Sequence, residues 1–170
     1  MSGRAGGGPE LAIRGDANGA WTVEEAAAIL PRLDQAAGGL ELCEEPVHGT
    51  DRFAALSALL PDLRLAADES GLEAAAVTCL KIGRAGGISG LCAHAAFVQA
   101  RGGEVYLAST FDGPLGIAAA VHCAAALDIE LPCGLATLGA FTSPVPSGLT
   151  PESGAIRLPS GPGLLGEPVR

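Results

Sequence analysis

"GLELCEEPVHGTDRFAALSALLPDLRLAADES", Gly39 to Ser70, holds two short apolar runs separated by an Ala/Leu-rich stretch. The runs "GLELC" (Gly39 to Cys43) and "LRLAA" (Leu63 to Ala67) have the length of strands. "RFAALSALL" between them has helical spacing, with Thr50 or Asp51 placed to cap it. Strand, helix and strand in that order predict a parallel pair joined by a crossover helix. Each run also ends in acid: Glu44 follows the first, and Asp68 and Glu69 follow the second.

The same alternation extends both ways. Upstream, "ELAIRG" (Glu10 to Gly15) reads as a strand that ends at Asp16, and Thr22 with Glu25 forms a capping-box signature before "AAAILPRL". Pro31 is expected to kink or end that helix, because proline removes a backbone donor. Downstream, "AAVTCLKI" (Ala75 to Ile82) is a fourth strand, "ISGLCAHAAFVQA" a helix, "EVYLAST" (Glu104 to Thr110) a fifth strand, and Gly116 to Leu127 a buried helix. "PCGLATLGAF" is read as a sixth strand. After Pro144 the chain turns Pro/Gly/Ser-rich and irregular, apart from the apolar "AIRL" at Ala155 to Leu158.

Composition narrows the function classes. With 19 acidic against 10 basic residues the formal charge is -9, which removes the electrostatic footprint that nucleic acid or an anionic membrane would need. A small molecule or a cation is the expected partner. The five cysteines (Cys43, Cys79, Cys92, Cys123, Cys133) are odd in number and form no C-x-x-C pair, so they are expected as free, buried thiols in a reducing compartment such as the cytoplasm or a plastid stroma. "MSGRAGGGPE" has no apolar core and is not read as a secretory signal.

In a parallel β/α array all strands point one way, so residues just past them gather on one face of the sheet. Asp16, Glu44 and Asp68 would meet there with Lys81, the only lysine in the chain, near the end of the fourth strand. Converging carboxylates repel one another unless a hard cation lies between them, and Mg²⁺ takes such oxygen ligands. A lysine inside an apolar strand suits chemistry, since burial shifts its pKa. The intervals from Asp16 to Glu44, Glu44 to Asp68 and Lys81 to Ser109 are 28, 24 and 28 residues, each fitting one unit of an eight-unit barrel at roughly 31 residues per unit. The 13 residues from Asp68 to Lys81 are too few for a whole unit.

"RGDANGAW" (14 to 21), "EEPV" (44 to 47), "AADES" (66 to 70) and "LKIGRAGGIS" (80 to 89) resemble, in order, the strand-end motifs of the enolase superfamily, within its muconate-lactonizing branch. "LASTFDGPLGIAAAVHCAAAL" and "CGLATLGAF" are most similar to the following segments of o-succinylbenzoate synthases, and "GAIRLPSGPGL" resembles the returning tail. The resemblance implies an α/β fold: a partial (β/α) TIM-type barrel, roughly strands 3 to 8, lacking the N-terminal capping domain and first strands. It implies a flexible segment at 1–10, the partial barrel at 11–143, and a tail at 144–170 returning toward the capping-domain position. It makes Asp16, Glu44 and Asp68 ligands of Mg²⁺, with Asn18 bracing them, and gives Lys81 a catalytic charge. Ser109, Thr110, Gly134, Leu135 and Thr137 would lie near the substrate.

The activity so implied is a Mg²⁺-dependent dehydration that forms o-succinylbenzoate from a small-molecule carboxylate on the route to menaquinone or phylloquinone. The neighbouring activity is racemisation or epimerisation of N-acylamino acids or dipeptides. The K-x-K motif whose last lysine is the family's general base has no counterpart in this chain. Two further expectations follow: a non-catalytic truncated fragment, or a chain that works with its missing N-terminal portion or with other domains of a longer protein.

Overall fold

Helix α1 (Val23–Ala37) begins where the capping box demands. The Thr22 hydroxyl accepts the Glu25 N–H at 3.2 Å, and the Glu25 carboxylate accepts the Thr22 N–H at 2.9 Å. Pro31 lies inside this helix and does not end it; the helix runs on to Gly38. Gly38 and Gly39 carry φ of 74° and 112°, and their N–H groups close on Gln35 and Asp34 carbonyls at 3.2 and 2.9 Å. The Asp34 carboxylate then accepts the Leu40 N–H at 2.7 Å, so the helix end also fixes the start of the next strand.

The structure is a computed structural model and describes residues 12–68 and 75–166. These form two compact units, one ending at Ala75 and the other beginning at Ala76. The expected segment at 1–10 lies outside the described residues, as does 69–74, the middle of the short Asp68 to Lys81 interval.

In the first unit β1 (Ile13–Asp16) pairs in parallel with β2 (Leu40–Glu44), and β2 with β3 (Leu65–Ala67). Helix α2 (Thr50–Leu59) connects the last two. Its N-cap is Gly49, with no side-chain cap, so neither Thr50 nor Asp51 serves as expected; both lie in the first helical turn. The core forms where the helix-facing strand residues Cys43, Leu65 and Ala67 meet Ala26 and Leu30 of α1 and Phe53 and Leu56 of α2. Across the strands, Arg14 and Glu41 form a two-pronged pair at 2.8 and 2.9 Å. The hydrogen bond from Arg14 holds the Glu41 carboxyl below the usual glutamate range.

In the second unit β4 (Val77–Lys81) pairs in parallel with β5 (Glu104–Ala108), Lys81 opposite Ala108. Helices α3 (Ile88–Gln99) and α4 (Pro114–Ala126) follow them. Helix α4 starts two residues earlier than expected because Pro114 occupies its first turn, where no donor is needed. The expected sixth strand shrinks to a single bridge, Ala108 to Gly134, before a 3₁₀ turn at Leu138–Ala140. Pro132 cannot donate to a ladder and Gly134 has no side chain to pack, which leaves that strand weak. "AIRL" contributes only an Ala155 bridge to Glu152, and the tail is tied back where the His122 ring meets the Leu164 carbonyl at 3.1 Å.

All five cysteines are free: Cys43, Cys79 and Cys123 are buried, whereas Cys92 and Cys133 are half-buried. Among the described residues no helix is long and apolar enough to cross a membrane.

The depressed native pKa of Glu41 sets a pH test. A carboxyl lowered on folding adds stability above its unfolded pKa and loses it as pH falls through the lower native value. Glu41→Gln is therefore expected to lower stability by about 1 kcal/mol at neutral pH, and the difference from the native chain should vanish in acid. Urea unfolding at both pH values reads this directly.

Candidate metal and acid–base site

Register in the first unit aligns the acids. Asp16 stands opposite Glu44, and Glu44 opposite Ala66, which puts Asp68 two residues further along the same face of β3. Carboxylate oxygens of Glu44 and Asp68 come within 4.8 Å of one another, and both side chains are half-buried. Asp16 is exposed, and the three carboxylates do not all come within that distance. Asp16 Oδ1 accepts the backbone N–H of Asn18 at 2.8 Å, so it is Asn18's main chain that braces this acid. The nearness of Asp16 and Glu44 is felt by Cys43: burial first, then these two charges, push its thiol up to about 11.

Glu45 was not anticipated as a site residue, yet its side chain holds Asp68 in place. It is buried (3% exposed), takes a left-handed backbone (φ 38°), and its Oε2 accepts the Asp68 N–H at 2.9 Å. Its own N–H donates to the Ala66 carbonyl at 2.8 Å, and its carbonyl accepts the Gly19 N–H at 2.6 Å. One residue thus joins the ends of β1, β2 and β3. Gly19 is required at that junction, since φ is 69° and a Cβ there would lie 2.9 Å from His48 Cβ. His48 itself is exposed and stands 3.8 Å from Glu45 Oε1. The only sequence signal for Glu45 was its place directly after Glu44, at the end of the strand.

The donor set of the first unit is oxygen-only. Two carboxylates at this separation suit a small octahedral cation that completes its shell with water and substrate, so Glu44 and Asp68 fit Mg²⁺ in donor chemistry.

In the second unit Lys81 ends β4, half-buried, on the strand face it shares with Val77 and Cys79. Ser109 and Thr110 follow β5, and their side chains turn to Asp112, which the sequence reading did not single out. Thr137 reaches Ser109 Oγ at 2.9 Å. Gly134 carries the bridge to β5. Leu135 is buried and, with Val121 and Ile156, lines a cavity of about 440 Å³ between α4 and the tail.

The enolase C-terminal domain-like family matches residues 3–168 of this chain. The o-succinylbenzoate synthase of Mycobacterium tuberculosis (strain H37Rv) is 36% identical over an alignment of 156 residues that covers 85% of this chain and 46% of that protein. A substrate-liganded L-Ala-D/L-Glu epimerase from Bacillus subtilis superposes with a TM-score of 0.78 at 32% identity, covering 91% of this chain and 46% of that one. MenC from Desulfotalea psychrophila LSv54 gives 0.75 at 31%, covering 85% and 44%. The chain therefore spans about half the length of the relatives it matches.

Removing the Glu45 carboxylate should release Asp68. Glu45→Ala is expected to cost about 2 kcal/mol, the range for a hydrogen bond to a charged group, and to speed hydrogen exchange at the Asp68 amide. Glu45→Gln keeps an acceptor and should retain most of the protection, as amide exchange followed by NMR would show.

Proposed function

The chain belongs to the enolase C-terminal domain-like family, and from that premise we propose that it is the metal- and Lys81-bearing portion of an o-succinylbenzoate synthase-like lyase. The observation that carries this reading is the paired Glu44 and Asp68 carboxylates, held at strand ends in a chain 36% identical to a curated synthase.

In this reading Asp16, Glu44 and Asp68 hold Mg²⁺. The ion, when bound, supplies positive charge to a substrate carboxylate, which makes the neighbouring carbon acid easier to ionise. Lys81 adds a second cation toward the charge that develops as the proton leaves and hydroxide is lost. Asn18 and Glu45 orient the acids, and Ser109, Thr110, Gly134, Leu135 and Thr137 shape the region that takes the substrate's far end. The product is o-succinylbenzoate, a precursor of menaquinone or phylloquinone. Proton abstraction needs a base besides Lys81, and no other lysine is present in these 170 residues. That role is assigned to the part of the longer protein that carries the family's K-x-K. A reducing cytoplasm or plastid stroma suits the five free thiols.

Epimerisation is the second reading, supported by 32% identity over 92% of the chain to the L-Ala-D/L-Glu epimerase of Bacillus subtilis. Two-sided proton exchange needs an acid–base group on each face of the carbon, which Lys81 and the K-x-K lysine of the longer protein would supply, so what favours dehydration is the higher identity to the synthase, 36% against 32%.

Calorimetric titration with Mg²⁺ tests the metal face. The native chain should bind saturably, and Asp68→Asn should weaken binding by about tenfold or more. Absence of binding in a folded sample would overturn the reading and favour a non-catalytic fragment. Once a lysine-bearing N-terminal portion is supplied, loss of water from the synthase substrate supports the lyase. Wash-in of deuterium at the α-carbon of a dipeptide, without dehydration, supports the epimerase.

A further inference from the structure

Asp112 spends its whole carboxylate on neighbouring strand-end segments. Oδ2 accepts the Ser109 hydroxyl at 3.2 Å and the Thr110 N–H at 3.0 Å, and Oδ1 accepts the Thr110 hydroxyl at 3.2 Å. The Asp112 N–H returns to Ser109 Oγ at 2.9 Å. Ser109 Oγ also accepts from Thr137 Oγ1 at 2.9 Å, while the Ser109 N–H donates to the Gly134 carbonyl at 3.1 Å. The Ser109 hydroxyl therefore uses its one donor and both acceptor sites inside this network.

The surroundings leave Asp112 little freedom. A Cβ on Gly83 would sit 3.0 Å from Asp112 Oδ1 and 3.2 Å from Thr110 Oγ1, and one on Gly116 would sit 2.7 Å from Asp112 Cβ. Gly83 lies two residues past Lys81, so the carboxylate rests against the loop leaving β4 as well as the loop leaving β5 and the 134–137 segment. Asp112 does not cap α4; that helix begins at a Gly113 N-cap with no side-chain bond. Phe111, directly before it, is 66% exposed and has φ of 60°. That left-handed conformation is strained for an L-residue. Bonds to Ser109 and Thr110 on one side and from Asp112 on the other span the strained residue and hold it.

We propose that Asp112 is a positioning residue for substrate recognition, fixing the β4, β5 and 134–137 segments into one lip through Gly83, Ser109, Thr110 and Thr137. This rests on the o-succinylbenzoate synthase-like reading, because it is that reading which places the substrate's far end beside Ser109, Thr110 and Thr137. The carboxylate acts here through geometry and not through its charge. An amide in its place can accept from Ser109 and from the Thr110 N–H, while its NH₂ donates to a Thr110 hydroxyl rotated to accept.

The test combines ligand binding with amide exchange on the full chain. The ligand probe is o-succinylbenzoate in the presence of Mg²⁺, followed by calorimetry, with Mg²⁺ alone titrated beside it. Asp112→Ala is expected to weaken o-succinylbenzoate binding about tenfold or more while leaving Mg²⁺ affinity within about twofold. It should also accelerate exchange of the Ser109 amide, with the β4–β5 ladder amides still protected. Asp112→Asn should stay near native in both readouts, and Gly83→Ala, which crowds Oδ1, should fall between them.

An Asp112→Ala chain that binds o-succinylbenzoate normally and keeps its Ser109 amide protected would overturn the proposal. So would an Asp112→Asn chain as impaired as Asp112→Ala, since charge rather than position would then be what matters. If the native chain binds Mg²⁺ but not o-succinylbenzoate, the substrate reading fails. The exchange at Ser109 then still decides whether Asp112 fixes the lip.

Discussion

The hydrogen bond from the Asp68 N–H to the buried Glu45 carboxylate is the constraint on which the acidic face depends. β3 has three residues and ends at Ala67, so the ladder alone cannot fix where Asp68 stands. Glu45 supplies the missing restraint from the neighbouring strand. Glu45 has a left-handed backbone and a buried side chain that bonds the Asp68 N–H, while Glu44, one residue earlier, stands in the ladder opposite Ala66. Adjacent glutamates thus divide the work: one offers its oxygens outward, and the other is consumed in holding the frame.

The second unit solves the same problem differently. β4 and β5 are fully paired over five residues, so Lys81 is fixed by the ladder itself, opposite Ala108. What the ladder cannot fix are the segments beyond it, and there a short side chain, Asp112, gathers hydroxyls and an amide N–H into one cluster. With two oxygens and several lone pairs, one carboxylate can accept all of these donors at once.

Most of the fold was legible because apolar period and punctuation agreed. The Thr22 and Glu25 capping box, the acid-terminated runs at Glu44 and Asp68, and the lysine at the end of β4 all lie where local chemistry puts them. The misreadings share a cause, in that each turned on a residue whose effect depends on its surroundings. Pro31 is tolerated inside α1 despite the lost donor, Gly49 displaces Thr50 and Asp51 as cap, and the run around Gly134 forms a bridge in place of a strand. Glu45 and Asp112 escaped notice because their roles come from accepting main-chain and hydroxyl donors, which leave no periodic trace. The spacing "STFD" does put a carboxylate three residues after a serine, and a side-chain to backbone turn was readable there.

The acidic face also carries a physical argument about what it is for. Two like charges about 4 Å apart repel by about 1 kcal/mol in bulk water and by about 4 kcal/mol at the effective dielectric of a protein surface. Glu44 and Asp68 are half-buried, which places them between those limits, and Asp16 adds a third charge in register. A buried carboxylate and a left-handed residue keep Asp68 beside Glu44. Local strain held in place by the surrounding structure marks a site whose benefit lies elsewhere. In the proposed reading a divalent cation is the group these paired carboxylates would hold, each becoming a ligand in its presence.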